Sequence, residues 1–283
     1  MGISMLNKLL KKNCKNQEIK TIHLEYLSGK TIVIDTSIYL YKFKAKSKDE
    51  DQFYYNFISL IIKFKKYKIT PIFALDGKIM ENKKDTIINR TNTKIISQLE
   101  ILDYEYKQNN GTLTPDELIK FEQLKLNITS VSNDERINIK KIFDSFNIKY
   151  LESFTVEADK ICYNLVKNNI AWACLSDDMD MFAYGCSFVL RELNLDNDTL
   201  ILYDTKKILK TLNISMNHFR TICLLTGADY YPEMKSNNIF YLFELYKTYI
   251  KSKSKICFID WLSNKINNYD KNKFNQLLSI FND

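Results

Sequence analysis

Thr31-Ile32-Val33-Ile34-Asp35-Thr36-Ser37 is the stretch on which the fold turns. A continuous β-branched apolar run leaves no polar face, so it reads as a strand buried on both sides, as in a parallel sheet covered by helices. The run stops at an acid. The same arrangement returns twice more, where Ile69 to Leu75 leads into Asp76-Gly77 and Ala171 to Leu175 leads into Ser176-Asp177-Asp178-Met179-Asp180. Around these runs, helical spacing of apolar residues predicts helices from Leu6 to Lys12, from Phe53 to Phe64 and from Thr155 to Val166. Short strands are expected at Ile148 to Tyr150, Phe188 to Leu190 and Leu200 to Tyr203. The pattern predicts an α/β domain with a central, largely parallel twisted sheet flanked by helices.

One segment breaks the alternation. From Lys78 to about Lys140 the sequence is rich in Lys and Asn, with weaker periodicity and a break at Asn109-Asn110-Gly111. A helix restarts at Thr114-Pro115-Asp116-Glu117, with Thr as N-cap, Pro at the first helical position and Glu three residues after the cap. The chain is therefore expected to be a single domain over 1–283, carrying a helical insertion at 78–137 and a helical carboxyl-terminal part at 215–283.

Composition removes several classes of function. Two histidines in 283 residues exclude hydrolases built on His clusters. The six cysteines contain no C-x-x-C pair, so they write no zinc framework and read as reduced, mostly buried thiols of an intracellular protein. No apolar run is long enough to span a bilayer, and Met1-Gly2-Ile3 opens no signal peptide, so neither a membrane nor secretion is expected. Net charge is +7. Setting aside seven acids that could share one site raises it to +14, a basic body around an acidic hole, as a metal-dependent nucleic-acid hydrolase would have.

Those acids are Asp35, Asp76 and Asp178 at strand ends, Asp180 two residues later, Glu157 and Asp159 at the start of the helix after Tyr150, and Asp229 in Leu225-Thr226-Gly227-Ala228-Asp229. Ligands of open α/β sheets bind at the carboxyl ends of the strands. Each acid alone is explicable as a loop or N-cap residue, and Asp177 reads as a solvated neighbour or cap. Together they could not all ionise at one place without binding cations. Mg²⁺ and Mn²⁺ prefer such oxygen ligands, and two of these ions can clamp an in-line phosphodiester displacement.

Five motifs occur in order: Val33-Ile34-Asp35-Thr36-Ser37, Phe73-Ala74-Leu75-Asp76-Gly77-Lys78, Thr155-Val156-Glu157-Ala158-Asp159, Ser176-Asp177-Asp178-Met179-Asp180 and Leu224-Leu225-Thr226-Gly227-Ala228-Asp229-Tyr230. Their order and spacing, from Met1-Gly2-Ile3 to about Tyr230, resemble the flap endonucleases, a family of structure-specific 5′ nucleases. The resemblance implies a PIN-like 5′-nuclease fold and a two-metal phosphodiesterase. It implies Mg²⁺ or Mn²⁺ held by the seven acids, with Asp159 where the family usually has Glu. It makes the insertion a helical arch, with Lys83 and Arg90 as the cations that contact the scissile phosphate. Their seven-residue separation puts both on one helical face. Lys84 is expected to be only solvated. Tyr41 matches an aromatic that stacks on a base near the cut, Gly2 is assigned to substrate binding, and Tyr39 is expected in the core.

Departures lie near the carboxyl end. Where the family has a glycine-rich duplex grip that often holds potassium, Tyr231-Pro232-Glu233-Met234-Lys235-Ser236-Asn237-Asn238 has no glycine, so a weaker or differently built grip is expected. Lysines at 206, 207 and 210 or at 251, 253 and 255 could substitute. Phe274 to Phe281 has the wrong spacing for a sliding-clamp peptide. The shortened form resembles members encoded by large DNA viruses. The expected partner is branched or 5′-flap DNA acted on by a monomer. The alternatives are a 5′–3′ exoribonuclease of related architecture and a catalytically silent nucleic-acid-binding scaffold.

Overall fold

The computed structural model describes residues 2–15, 17–77, 97–98, 100–227, 234, 237–263, 265–266 and 270–281. Its α/β core has seven strands: β1 Ile19–His23, β2 Thr31–Asp35, β3 Thr70–Asp76, β4 Lys149–Ser153, β5 Ala173–Leu175, β6 Phe188–Asn194 and β7 Thr199–Asp204. The chain divides into two compact units. One comprises Met1–Ile34, Tyr67–Thr70 and Cys162–Asp283; the other comprises Asp35–Lys66 and Pro71–Ile161.

In the first unit the strands lie in the order β1-β7-β6-β5-β2. β2 and β5 run parallel with Ile34 opposite Leu175, and β5 and β6 run parallel with Leu175 opposite Leu190. Ile32, Val33 and Ile34 are fully buried, as a run without a polar face requires. The last strands depart from the parallel pattern. β6 pairs antiparallel with β7, and β7 with β1. The sequence pattern omits β1 because Lys20, Thr21 and His23 interrupt its apolar residues and only Ile22 is buried. The Met216–Leu225 helix buries seven consecutive residues from Phe219 to Leu225.

In the second unit β3 and β4 run parallel, with Phe73 opposite Tyr150 and Asp76 opposite Ser153. Phe73 stacks on Phe143 of the Asn133–Ser145 helix at 4.1 Å, and Phe57 of the Glu50–Lys66 helix meets Phe143 edge to face at 6.1 Å. Stacked and edge-on aromatics of this kind add specificity to plain burial. The helix at Pro115–Ile128 begins where the sequence predicts, and Thr114 and Glu117 form a capping box. The Asn133–Ser145 helix opens with a second box, Ser132 with Glu135. Phe121 and Leu124 pack with Ile101 and Tyr104 into a small separate core, which gives this stretch an apolar centre of its own.

Several boundaries differ from expectation, β6 most of all, which runs to Asn194 instead of Leu190. β4 continues to Ser153 and the next helix starts only at Ala158, because Ser153 Oγ accepts the Thr155 and Val156 N–H groups and turns the chain. β5 starts at Ala173, since the Ala171 N–H donates back to the Leu165 carbonyl in the preceding helix. Five cysteines are buried and Cys257 is exposed. Among the described residues no helix is long and apolar enough to cross a membrane.

Candidate active site

In the second unit three of the sequence motifs are tied together at Asp76. The Ser37 hydroxyl donates to Asp76 Oδ2 at 2.5 Å, and the Ala158 N–H donates to Asp76 Oδ1 at 2.7 Å. Both carboxylate oxygens are thereby fixed, one by the stretch that follows Asp35 and one by the stretch that carries Glu157 and Asp159. Gly77 makes the approach possible. Its N–H donates to the Ser153 carbonyl at 2.9 Å, and a Cβ at this position would stand 2.5 Å from that same oxygen.

Asp35 is 2 % exposed and stands at the N-cap position of the Thr36–Lys46 helix, yet its side chain does not cap it. Thr114, Ser132, Asp204, Ser215, Asn238 and Asp270 all accept from their own helices. Capping therefore does not explain Asp35. Glu157 precedes the Ala158–Lys167 helix instead of lying in its first turn, with its carbonyl accepting the Ile161 N–H, while Asp159 does lie in the first turn. Tyr41 is half-buried on the helix that Asp35 opens, and Tyr39 is fully buried as expected.

The first unit holds a second group of acids. Asp178 and Asp180 are buried, at 8 % and 3 % exposure. The Asp178 N–H donates to Ser176 Oγ at 3.1 Å, and the Asp180 N–H donates to Asp178 Oδ1 at 2.9 Å, so the chain coils tightly between them. Gly2 lies against this pair in a left-handed conformation, φ +72°, and a Cβ there would collide with Asp178 Oδ1 and Asp180 Oδ1. Only glycine brings backbone this close without steric cost. Behind Asp180, burial first and then the Asp180 charge push the Cys223 thiol well up, which leaves it an inert packing group.

Asp177 is not the solvated neighbour that the sequence suggests. Its Oδ1 accepts the Glu192 N–H at 2.7 Å and its carbonyl accepts from Arg191 Nη2 at 2.8 Å. The two donors sit where the β6–β7 register shifts between Arg191 and Asn194, and Glu192 has φ +55°. Irregularities of this sort often aim backbone groups near functional sites. Arg191, Glu192 and Ser37 thus make contacts to the acid-bearing segments that pattern reading does not assign. An Arg within the apolar run Phe188-Val189-Leu190-Arg191 was the available signal.

Asp229, Lys83, Lys84 and Arg90 lie outside the described residues. Among the described residues, no three His, Cys, Asp or Glu side chains form a group able to hold a metal ion as they stand. Near the carboxyl end, the Asn237 amide donates to the Leu225 carbonyl at 2.9 Å and Asn238 caps the Ile239–Ser252 helix.

Known proteins match this arrangement. Residues 1–95 match the XPG N-terminal domain and residues 147–229 the XPG I-region. The probable RAD2-like endonuclease 369L of Invertebrate iridescent virus 6 is 26% identical over 285 residues, covering 81% of this chain and 67% of that protein. Flap endonuclease 1 of Plasmodium vivax (strain Salvador I) is 28% identical over 302 residues, covering 97% of this chain and 45% of the relative. The chain thus spans two thirds of one relative's length and under half of the other's. Among solved structures, the catalytic core of Rad2 in complex with DNA substrate superposes with a TM-score of 0.65 at 20% identity, over 98% of this chain and 80% of that one. Flap endonuclease-1 from Methanococcus jannaschii gives 0.58 at 21% identity, over 93% and 81%. At these identities the superpositions establish the shared nuclease-core fold. With both domain models spanning its acidic motifs, the chain belongs to the XPG family, the group of structure-specific nucleases that includes the flap endonucleases.

Proposed function

We propose that the protein is a metal-dependent 5′ nuclease that cuts branched DNA, with some 5′–3′ exonuclease action. The observation that carries this reading is the construction around its acids: Asp76 is gripped at both oxygens, and Asp178 and Asp180 are packed under a backbone that only glycine can bring so near. Every candidate ligand is a carboxylate, a donor set suited to hard cations. Asp35, Asp76, Glu157, Asp159, Asp178, Asp180 and Asp229 would hold two Mg²⁺ or Mn²⁺ ions. Such a pair, when bound, activates water and neutralises charge on the phosphate under attack.

The chain's own residues do the rest. Ser37 and the Ala158 amide keep the Asp76 oxygens oriented, and Arg191 with Glu192 keeps the Ser176–Asp180 turn in place. Lys83 and Arg90 supply positive charge to the scissile phosphate, and Tyr41 stacks on a neighbouring base. Gly2 brings the backbone against the Asp178 and Asp180 carboxylates and contributes to substrate binding beside them. The exposed lysines at 206, 207 and 210 attract duplex backbone, Lys207 while also pairing with Asp204 at 3.2 Å.

The test is cleavage of matched 5′-flap DNA, flap RNA and nicked duplex, with and without Mg²⁺. The expected result is cutting of the flap DNA that stops when Mg²⁺ is withdrawn. Cutting confined to RNA would favour the exoribonuclease reading. Binding of all three without any cleavage would favour the silent scaffold.

A further inference from the structure

At the amino ends of β2, β5 and β6, on the side of these strands away from the Asp178 turn, lies a cleft of about 470 Å³. Its floor is Trp172, which stacks on Phe188 at 4.5 Å with an interplanar angle of 19°. Lys30 lies over the Trp172 ring, its Nζ 4.5 Å from the centroid, and Ser187 and Asn169 complete the rim. A smaller cavity of about 120 Å³ shares Trp172 and Phe188 and adds Tyr26 and Lys20, whose Nζ is 4.7 Å from the Tyr26 centroid. Its two acids are already engaged, Glu18 by the Lys15 N–H and the Thr211 hydroxyl and Asp204 by Lys207. Tyr26 in turn meets Trp172 edge to face at 6.5 Å.

Two features mark this as more than a surface dimple. First, among the described residues neither Lys20 nor Lys30 forms a salt bridge; both ammonium groups rest on aromatic rings instead of carboxylates. Their charge is left available to an anion. Second, the aromatic surface is continuous and partly exposed, and its volume is in the range of small-ligand sites. Aromatic rings interleaved with unpaired lysines suit a ligand with one flat, polarisable face and one anionic end.

We propose that this cleft is a nucleotide subsite. A base stacks on Trp172 in the place now taken by the Lys30 ammonium, and Lys30, on its flexible stem, swings to the phosphate with Lys20 beside it. The exchange is favourable because a stacked base gains more from an aromatic ring than a water-exposed ammonium does, and the ammonium gains a phosphate. The ligand is a purine or pyrimidine nucleotide, free or as an unpaired unit of a strand. The proposal does not depend on the acidic motifs, because it concerns the other end of the same strands.

Tryptophan fluorescence tests it directly, since Trp172 and Trp261 are the only two in the chain. The probes are dAMP, the oligonucleotide dA6 and inorganic phosphate, each titrated in chelator so that nothing is cleaved. Saturable quenching by dAMP supports a free-nucleotide site, and quenching by dA6 alone supports a strand-binding site. In either case Trp172→Phe should remove the signal, and Lys30→Ala should weaken affinity by roughly tenfold or more, as losing a charge-assisted bond would. Circular dichroism confirms that both variants fold. No quenching by either nucleotide, equal quenching by inorganic phosphate, or quenching that survives Trp172→Phe would overturn the proposal.

Discussion

The two groups of acids are built on different physical devices. Around Asp76, in the second unit, the device is hydrogen bonding: a hydroxyl and an amide hold a half-buried carboxylate by its two oxygens. Around Asp178 and Asp180, in the first unit, it is space: two buried acids share one tight turn, and the chain's second residue fits against them only because it lacks a side chain. The contrast teaches where each group is vulnerable. A donor can be deleted without moving atoms, so its loss is graded. A steric fit fails as soon as one methyl group is added.

Predictions that sharpen this contrast follow in order of size. Asp178→Asn keeps the shape of the turn but removes a charge, and should slow cleavage of flap DNA by about 10³-fold or more, since a cation's charge stabilisation is worth several kcal/mol. Its affinity for DNA should barely change, because phosphate attraction is a separate contribution. A filter-binding assay beside single-turnover kinetics separates the two. Wild-type rates would remove Asp178 from the chemistry.

Gly2→Ala should cost about 10²-fold in rate, the scale expected for a misplacement of about 1 Å at a reacting centre. Thermal unfolding measured beside it separates a loss of rate from a loss of fold. A wild-type rate in this variant would mean that the packing against Asp178 and Asp180 is incidental. Ser37→Ala removes one charge-assisted hydrogen bond and should lower the rate by about tenfold, in line with about 1.5 kcal/mol for such a bond. Ser37→Thr, which keeps the hydroxyl, should recover most of it, and failure to do so would point to packing as the cause.

The smallest effect belongs to the scaffold. Glu135 forms an ion pair with Lys44 and accepts the Ser132 N–H at 2.8 Å. Burial raises its pKa, but Lys44 and Ser132 together outweigh burial and hold the carboxyl below its usual value. A carboxyl depressed in the folded state stabilises above its unfolded pKa, and that stability is lost as pH falls through the folded value. Lys44→Ala should therefore cost about 1 kcal/mol near neutral pH, and the gap between variant and wild type should close in acid below the usual carboxylate range. Urea melts at pH 7 and pH 3.5 measure it; an equal gap at both would exclude the ion pair as the source.

The central strands were legible because burial on both faces forces an unbroken apolar run, and β2, β3 and β5 all carry one. The motifs at their ends carried the family. What pattern reading missed was polar and long-range. β1 is an edge strand with one buried residue, so it has no run to detect. Asp177 looks like a surface acid because its partners, Arg191 and Glu192, stand fourteen and fifteen residues away across a strand pairing. Gly2 could be assigned to the substrate by resemblance, but not to its place beside Asp178 and Asp180, since nothing local in Met1-Gly2-Ile3 encodes that approach. The late helix start at Ala158 follows from Ser153, a residue whose hydroxyl can cap a turn as readily as face solvent.

The proposed function requires that both the hydrogen-bonded acids and the close-packed acids contribute to cleavage. A double-mutant cycle on Ser37→Ala and Gly2→Ala, read by single-turnover cleavage of one 5′-flap duplex in Mg²⁺, tests it most directly. Each variant touches one group only, and each should keep a measurable rate. If both groups contribute to cleavage, each single variant will be slower than wild type and the double variant slower than either. A double variant no slower than one of the single variants alone, or a wild-type rate in either single variant, would contradict the account.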